Sequence, residues 1–182
     1  MWPLSTVLQV LLMSLSMYAA SVTVFNHILN NLEVLLDKGA AFADERKIDH
    51  NALLLSRLSP DMFTLTRQVQ IATDIAKGTC ARLAGVEIPK FEDTEASFAD
   101  LKARCAKLRD FLSTLTPAQF EGAETRQVSF KVGPPNNQTT MEFNGSDYIQ
   151  VWGVPNVYFH FSMVYALLRH NGVPVGKRDY LG

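Results

Sequence analysis

The chain has 182 residues, of which 47% are hydrophobic, and its 17 basic and 18 acidic residues leave a formal net charge of -1. Such a length suits one domain that buries roughly 70% of the surface of its unfolded chain. The hydrophobic content excludes a disordered chain. The balanced, scattered charges exclude the basic surface that nucleic acids or anionic membranes require. The composition therefore predicts a globular domain whose partner is neither a nucleic acid nor a membrane.

The N-terminal region carries no charged side chain before Glu33, which raises the question of a signal peptide. A signal peptide needs a positive start, which is missing, and a cut after Ala20 would put bulky Tyr18 where a small residue is required. Polar residues interrupt the apolar run, so a membrane span is not expected. We expect a cytoplasmic protein, with residues 1–12 as an N-terminal extension and residues 13–182 as the domain.

The first predicted helix runs from about Leu15 to Asp37, because apolar residues recur there three or four positions apart. Lys38 and Gly39 supply its end signal. The polar connection over residues 40–59 predicts two short helical turns, and its length permits a crossover before the next helix.

The second predicted helix follows a strong start signal. Ser59 offers a capping hydroxyl, Pro60 suits the first helical position, and Asp61 lies near the positive end of the helix dipole. The apolar pattern continues to Leu83 and ends before Gly85.

Polar side chains at Gln68, Gln70 and Asp74 interrupt the second helix beside its inward face. Polar groups at the margin of a core are either solvated or directed at a partner. Hydrogen bonds across a bundle account for the two glutamines without assigning them a catalytic role.

The third predicted helix begins at a Thr94 cap and carries an apolar stripe that starts at Phe98 and ends at Leu115. Cys105 lies on this stripe, whereas Cys80 lies on the second helix. Buried thiols are commoner than a disulfide in a helical chain of this size, and two cysteines alone do not form a metal site.

Strand-like alternation follows the third helix. Apolar and polar residues alternate over 128–132 and again over 141–143, on either side of a turn at 134–137. This pattern predicts a small hairpin. Ser146 then offers a cap for a short helix.

The last predicted helix begins at Pro155, after an interruption by Gly153 and the proline itself. It is the most apolar helix in the chain, and Asn171 with Gly172 supplies its end. Four long helices with a hairpin inserted before the last one predict an all-α, antiparallel four-helix bundle. Apolar faces of this extent also predict a homodimer.

His160 is the only imidazole deep inside the last helix, and Asn156 lies one turn before it on the same face. A site role, as ligand or general base, and a core role beside a hydrogen-bonded neighbour both suit this position. His170 suits the negative end of the helix dipole, and His27 and His50 are expected at the surface.

Three segments of the sequence, SPDMFTLTRQVQIATDIAKG, NVYFHFSMVYALLRHNG and GKRDYLG, resemble a branch of unknown function in the DinB/YfiT-like superfamily. The resemblance covers residues 13–182 and implies a four-helix bundle of DinB/YfiT type. Better-studied relatives hold a divalent metal with one histidine on the second helix and an HxxxH pair on the last. Some of these relatives are thiol-dependent transferases or isomerases.

The resemblance places Gln70 at the position of the first metal-binding histidine, and Asn156 and His160 at the positions of the pair. Amides bind zinc or nickel more weakly than imidazoles do, and a carboxylate from Asp74 would favour magnesium or manganese. The resemblance therefore implies a weakly bound divalent metal at Gln70, Asn156 and His160, with His160 as the candidate catalytic base, and the spacing of one turn from Gln70 adds Asp74 as a fourth ligand.

Two functions remain open at this point. The first is a small-molecule enzyme, an isomerase, transferase or hydrolase, that uses a degenerate metal site or His160 as a base. The second is a non-catalytic module that binds a small molecule or dimerises and has lost the metal. The enzyme predicts that Gln70, Asn156 and His160 converge on an open pocket, whereas the module predicts a buried partner for His160.

The C-terminal tail, residues 176–182, has two interpretations of its own. It fastens the end of the chain onto the bundle through an ion pair and the phenol of Tyr180, or it presents Lys177 or Arg178 to an anionic ligand. We favour the first.

Overall fold

A computed structural model of the protein describes residues 15–182. The predicted extension, residues 1–12, and the predicted start of the domain at residue 13 lie outside the described residues. The helices and strands are α1 Val24–Arg46, α2 His50–Leu54, α3 Leu65–Ala84, α4 Phe98–Ser113, β1 Gln127–Val132, β2 Thr139–Asn144, α5 Gly145–Asp147, α6 Val154–His170 and α7 Lys177–Leu181. Single turns of other helix types precede α1, α6 and β1, at Ala19–Thr23 (π), Tyr148–Gly153 (π) and Pro117–Phe120 (3₁₀).

The four long helices, α1, α3, α4 and α6, form an antiparallel bundle, as the sequence predicted. Each contacts two of the others: α3 packs along α6 and α4, and α1 packs against α4 and α6. The largest fully buried side chains along these four helices are Phe25, Leu32, Leu35, Leu36, Leu65, Leu83, Leu101, Leu108, Leu112 and Phe161. Within residues 15–182, no helix is both long and apolar enough to cross a bilayer.

The first helix is longer than predicted, because Gly39 does not end it. The helix continues to Arg46, and Lys47 closes it in the left-handed conformation at φ 56°. A Cβ on Gly39 would lie 2.9 Å from Leu168 Cδ2 and 3.0 Å from Phe98 Cε1. The glycine therefore permits close packing of three helices. The connection that follows holds one short helix, α2, where two turns were predicted.

Helices α3 and α4 begin later than their predicted caps. Thr64 caps α3 and Ser97 caps α4, each by accepting a hydrogen bond from the backbone N–H three residues on. The predicted cap Thr94 lies in the preceding loop. Ser59 opens a turn, since the Met62 N–H donates to its carbonyl at 3.0 Å. Ser-Pro-Asp is also a good β-turn sequence, which explains the wrong assignment.

The hairpin forms as predicted, with Phe130 paired with Met141 in antiparallel register. The side chain of Asn144, not Ser146, caps the short helix α5 by accepting from the Asp147 N–H at 2.8 Å. The hairpin is thus joined directly to the helix that leads into α6.

The last helix is not interrupted where the sequence predicted. Backbone of helical conformation runs from α5 through the π-helical turn into α6, and Gly153 keeps right-handed angles. Pro155 lies where the backbone hydrogen bonds change from the π-helical to the α-helical pattern. Its missing N–H therefore removes no α-helical hydrogen bond. A Cβ on Gly153 would lie 2.7 Å from Thr79 Cγ2, so the glycine lets this helix approach α3. Gly172, at φ 89°, ends α6 as predicted.

The two cysteines are buried and unpaired, as predicted. Burial raises the pKa of both thiols, that of Cys105 to about 12. Neither Cys80 nor Cys105 is therefore a reactive thiolate at neutral pH.

Candidate functional site

His160 on α6 meets Gln68 on α3 inside the bundle. The ring is 8% exposed, and its Nδ1 lies 2.6 Å from Gln68 Oε1. The orientation of the amide is fixed because Gln68 Nε2 donates to the Phe63 carbonyl at 3.3 Å. A carbonyl oxygen only accepts, so Nδ1 of His160 carries the proton and Nε2 keeps the lone pair.

The environment of His160 favours the uncharged ring. Burial, followed by the positive charge of Arg67, lowers the pKa of His160 to about 4. The ring of Phe159 contacts the imidazole edge to face, with centroids 5.1 Å apart. Among residues 15–182, no hydrogen-bond partner is found for Nε2. His160 is therefore a neutral imidazole whose Nε2 carries an unshared electron pair.

Gln70 lies on the other side of α3 from His160. Two positions along a helix separate Gln68 from Gln70, which is a rotation of about 200°. The Gln70 amide donates to Glu95 Oε2 at 2.8 Å and accepts from Arg67 at 3.1 Å. The structure therefore brings Gln68, and not the predicted Gln70, to His160. Gln68 forms the predicted hydrogen bond across the bundle, whereas Gln70 bonds to its own helix and to the loop before α4.

Asp74, the predicted carboxylate ligand, lies beside two buried cations. Its Oδ1 is 2.7 Å from Lys77 Nζ and 2.8 Å from Arg104 Nη2. The second contact is an ion pair whose angles are not those of a hydrogen bond. The carboxylate thus neutralises positive charge on the α4 side of α3.

Arg104 is the centre of a polar network that the sequence analysis missed. Its side chain is 1% exposed, Nε donates to Thr73 Oγ1 at 2.7 Å, and Nη1 donates to Glu95 Oε1 at 2.9 Å. Although burial raises the pKa of Glu95, hydrogen bonds from Arg104 and Gln70 hold it below its usual value. Arg104 lies four positions before Leu108 and therefore on the apolar face of its helix. A charged residue on an apolar face is the signal in the sequence that could have predicted this buried network.

Asn156 lies one turn before His160 on α6, as predicted, but its amide does not face the ring. Its Nδ2 donates to the carbonyl of Trp152 at 2.7 Å, on its own helix. The four predicted ligands thus do not meet. Gln70 and Asp74 face the α4 side of α3, Asn156 is bonded to the backbone of its own helix, and His160 lies against Gln68. Within the described part of the chain, no three His, Cys, Asp or Glu side chains are placed to hold a metal ion. These residues do not fit the coordination sphere of a tightly bound divalent metal.

Comparisons with known proteins agree with this fold. Residues 17–181 match a family model described as Domain of unknown function (DUF1993). A crystal structure of a DinB family member protein from Shewanella denitrificans is 40% identical, covers 91% of each chain and superposes with a TM-score of 0.80. No curated protein matches the sequence. The chain therefore belongs to the DUF1993 family, a DinB-like branch of unknown function, which confirms the resemblance.

Proposed function

We propose that this protein is a small-molecule enzyme in which His160 acts as a general base. Gln70 and Asn156 do not converge with His160 as the enzyme hypothesis predicted, so the proposed enzyme uses His160 as its base without them. The observation that carries the proposal is the hydrogen bond of 2.6 Å between His160 Nδ1 and Gln68 Oε1. It fixes the tautomer and leaves Nε2 unprotonated. The low pKa of about 4 keeps this nitrogen unprotonated at physiological pH but makes it a weak base, so it takes up a proton only as the transition state forms.

Arg67 supplies the second part of the proposed chemistry. Its positive charge contributes to the low pKa of His160, and its guanidinium is held by Gln70 and Asp93. This charge, which Asp93 partly compensates, acts on His160 through its electrostatic field, and it favours the anion that forms when the base removes a proton from a thiol, a hydroxyl or an activated C–H group. Transfer, isomerisation and hydrolysis of small molecules all use such a step. The DinB resemblance adds thiol-dependent transfer as the first class to test.

The proposal includes a homodimer in the cytoplasm. Val151, Tyr158 and Phe159 are large apolar side chains that are 62%, 38% and 52% exposed on α6 and the turn before it. A two-fold interface at this position would cover them. The free buried thiols of Cys80 and Cys105 suit a reducing compartment.

Acylation by diethyl pyrocarbonate tests whether His160 is an available base, because this reagent attacks unprotonated imidazole nitrogens. The chain has four histidines, and peptide mass spectrometry measures each one separately. Between pH 4 and 6.5 we expect His160 to react, because its low pKa keeps the ring unprotonated, and the exposed ring of His170 serves as the internal comparison. In the Gln68→Leu variant, Nδ1 loses its acceptor and the reactivity of His160 in this range should fall. An inert His160 beside reactive exposed histidines would contradict the proposal.

Turnover is tested with glutathione and 1-chloro-2,4-dinitrobenzene, and in parallel with a p-nitrophenyl ester. We expect His160→Gln to slow the faster reaction by about 10²-fold or more, the usual contribution of a positioned base. Equal rates for wild type and variant in both assays would reject the enzyme and leave the non-catalytic module.

Metal analysis tests whether His160 is a catalytic base or a metal ligand. Protein purified without a histidine tag should contain no stoichiometric metal, and titration with manganese, nickel or zinc should give the same weak uptake in wild type and His160→Ala. Near-stoichiometric metal that disappears in the variant would show that His160 acts as a ligand.

A further inference from the structure

A small aromatic pocket lies between α3 and the hairpin. Its volume is about 200 Å³, and its lining residues are Asp74, Ile75, Arg82, Phe130, Val132, Tyr148 and Trp152. Neither His160 nor Gln68 lines it, so the pocket is separate from the proposed base.

The pocket walls are aromatic rings that hold one another in place. Phe130 contacts Trp152 and Tyr148, with centroids 5.4 Å apart in each pair and interplanar angles of 61° and 60°. Phe143 lies behind them, 6.2 Å from the Trp152 ring and 5.9 Å from the Tyr148 ring. Tyr148 is only 1% exposed. A planar apolar ligand would therefore meet preformed walls.

Arg82 places a cation in this aromatic setting without an acidic partner. Its Nη1 donates to the Tyr148 hydroxyl at 3.2 Å, and its guanidinium carbon lies 4.7 Å from the centroid of the Phe130 ring. Among residues 15–182, no carboxylate forms an ion pair with it. A guanidinium has five N–H donors, so several remain available for an anion.

Gly78 makes the position of this guanidinium possible. A Cβ at Gly78, one turn before Arg82, would lie 2.5 Å from Arg82 Nη1. Asp74, the only acid among the described residues that line the pocket, is already compensated by Lys77 and Arg104, at 2.7 Å and 2.8 Å. The local field therefore favours a negative ligand.

We propose that this pocket binds a small aryl carboxylate, whose ring lies against Phe130 and Trp152 and whose carboxylate accepts hydrogen bonds from Arg82. A volume of 200 Å³ corresponds to the liquid volume of about seven water molecules. One aromatic ring with one carboxylate fits that space. The planar guanidinium matches the planar carboxylate with two parallel hydrogen bonds.

Benzoate is the probe, and its neutral analogue benzamide is the control. The chain has two tryptophans, so a Trp2→Phe background leaves Trp152 as the only source of tryptophan fluorescence. We expect a saturable change in Trp152 emission at millimolar benzoate, and at least about tenfold weaker binding of benzamide, since a hydrogen bond to a charged group is lost.

Variants of the cation identify the binding group. Arg82→Gln and Gly78→Ala should each weaken benzoate binding by at least about tenfold, the first by removing the charge and the second by displacing it. Arg169→Gln, which changes an exposed arginine at the end of α6, should bind as wild type does. Gly78→Ala decides the question if Arg82→Gln fails to fold. The proposal is overturned by no saturable change with benzoate, by equal affinity for benzamide, or by equal affinity in Gly78→Ala.

Discussion

His160 and Arg104 are both buried polar side chains, and the protein accommodates them in opposite ways. His160 is held neutral, with its one N–H bonded to Gln68. Arg104 stays charged and lies among acidic groups, of which Glu95 is 2.9 Å away. Each buried group has a hydrogen-bond partner, although Nη2 of Arg104 and Nε2 of His160 form no hydrogen bond within the described residues. Their loss should therefore have different consequences.

The low pKa of His160 predicts a loss of stability in mild acid. The unfolded chain takes up this proton near pH 6.5 and the folded protein only near pH 4, so its contribution is complete above pH 6.5 and is lost as pH falls towards 4. The difference is up to about 3 kcal/mol. Urea unfolding across this window should show a smaller pH dependence for His160→Gln than for wild type. If the free energy of unfolding depended equally on pH in the two proteins, the pKa of His160 in the folded protein would not be lowered.

The charged network around Arg104 predicts a large cost when only one partner is removed. Arg104→Met leaves Glu95, whose side chain is only 10% exposed, without its cation, and should lower the free energy of unfolding by roughly 3–5 kcal/mol. In the double variant with Glu95→Gln, we expect part of that loss to be recovered. Urea unfolding of the two single variants and the double variant forms the cycle. Additive losses would show that the two residues do not interact.

At the scale of secondary-structure elements, glycines inside helices set how closely the helices approach. Gly39 in α1 lies against Leu168 and the ring of Phe98, and Gly153 lies against Thr79 of α3. Gly78 differs, because its near neighbour is the mobile end of the Arg82 side chain. Glycine thus permits close helix packing at Gly39 and Gly153, and at Gly78 it leaves room for the guanidinium of Arg82.

Alanine substitutions at two of these glycines should have opposite effects on stability. Gly39→Ala forces a Cβ to within 3.0 Å of packed side chains, and we expect a loss of about 1–3 kcal/mol despite the higher helix propensity of alanine. Gly78→Ala should be neutral or stabilising by up to about 1 kcal/mol, because the guanidinium can move. Thermal unfolding of the two variants compares them directly. Equal losses would show that α3 has no freedom at Gly78 either.

At the scale of the whole molecule, the C-terminal tail joins α1 to α6. The Tyr180 ring stacks on Phe161 with centroids 4.4 Å apart, and its hydroxyl lies 2.9 Å from Ser162 Oγ. Asp179 pairs with Lys38 of α1 at 2.6 Å. These contacts agree with the expected role of the tail in fastening the end of the chain onto the bundle.

Removal of the Tyr180 ring should therefore weaken the entire bundle. We expect Tyr180→Ala to cost about 2–4 kcal/mol through lost packing, and Tyr180→Phe about 1 kcal/mol through the lost hydrogen bond. Leu181→Ala is the matched control, since that side chain is 51% exposed and its loss should stay within about 0.5 kcal/mol. Chemical unfolding measures all three. A cost for Tyr180→Ala no larger than the control's would show that the tail is a passive extension.

Local signals in the sequence determined much of the fold. The end of α3 before Gly85 and the end of α6 before Gly172 were predicted correctly, because a glycine in the left-handed conformation acts within its own turn. The hairpin, the apolar stripe of α4 and the buried thiols followed from periodicity and composition. None of these features depends on which helix packs against which.

Tertiary packing decided the rest. Ser59 and Thr64 are both good caps, and only the folded chain selects between them. Gly39 carries an end signal in the sequence, yet close packing of three helices keeps it inside α1. Which glutamine faces His160 depends on how α3 is rotated about its axis. Side chains two positions apart on a helix point about 200° apart, so Gln68 and Gln70 cannot both face the ring. The sequence therefore pointed to His160 as the candidate base, which stays a prediction, whereas the tertiary structure placed Gln68 beside it and turned Gln70 towards Glu95.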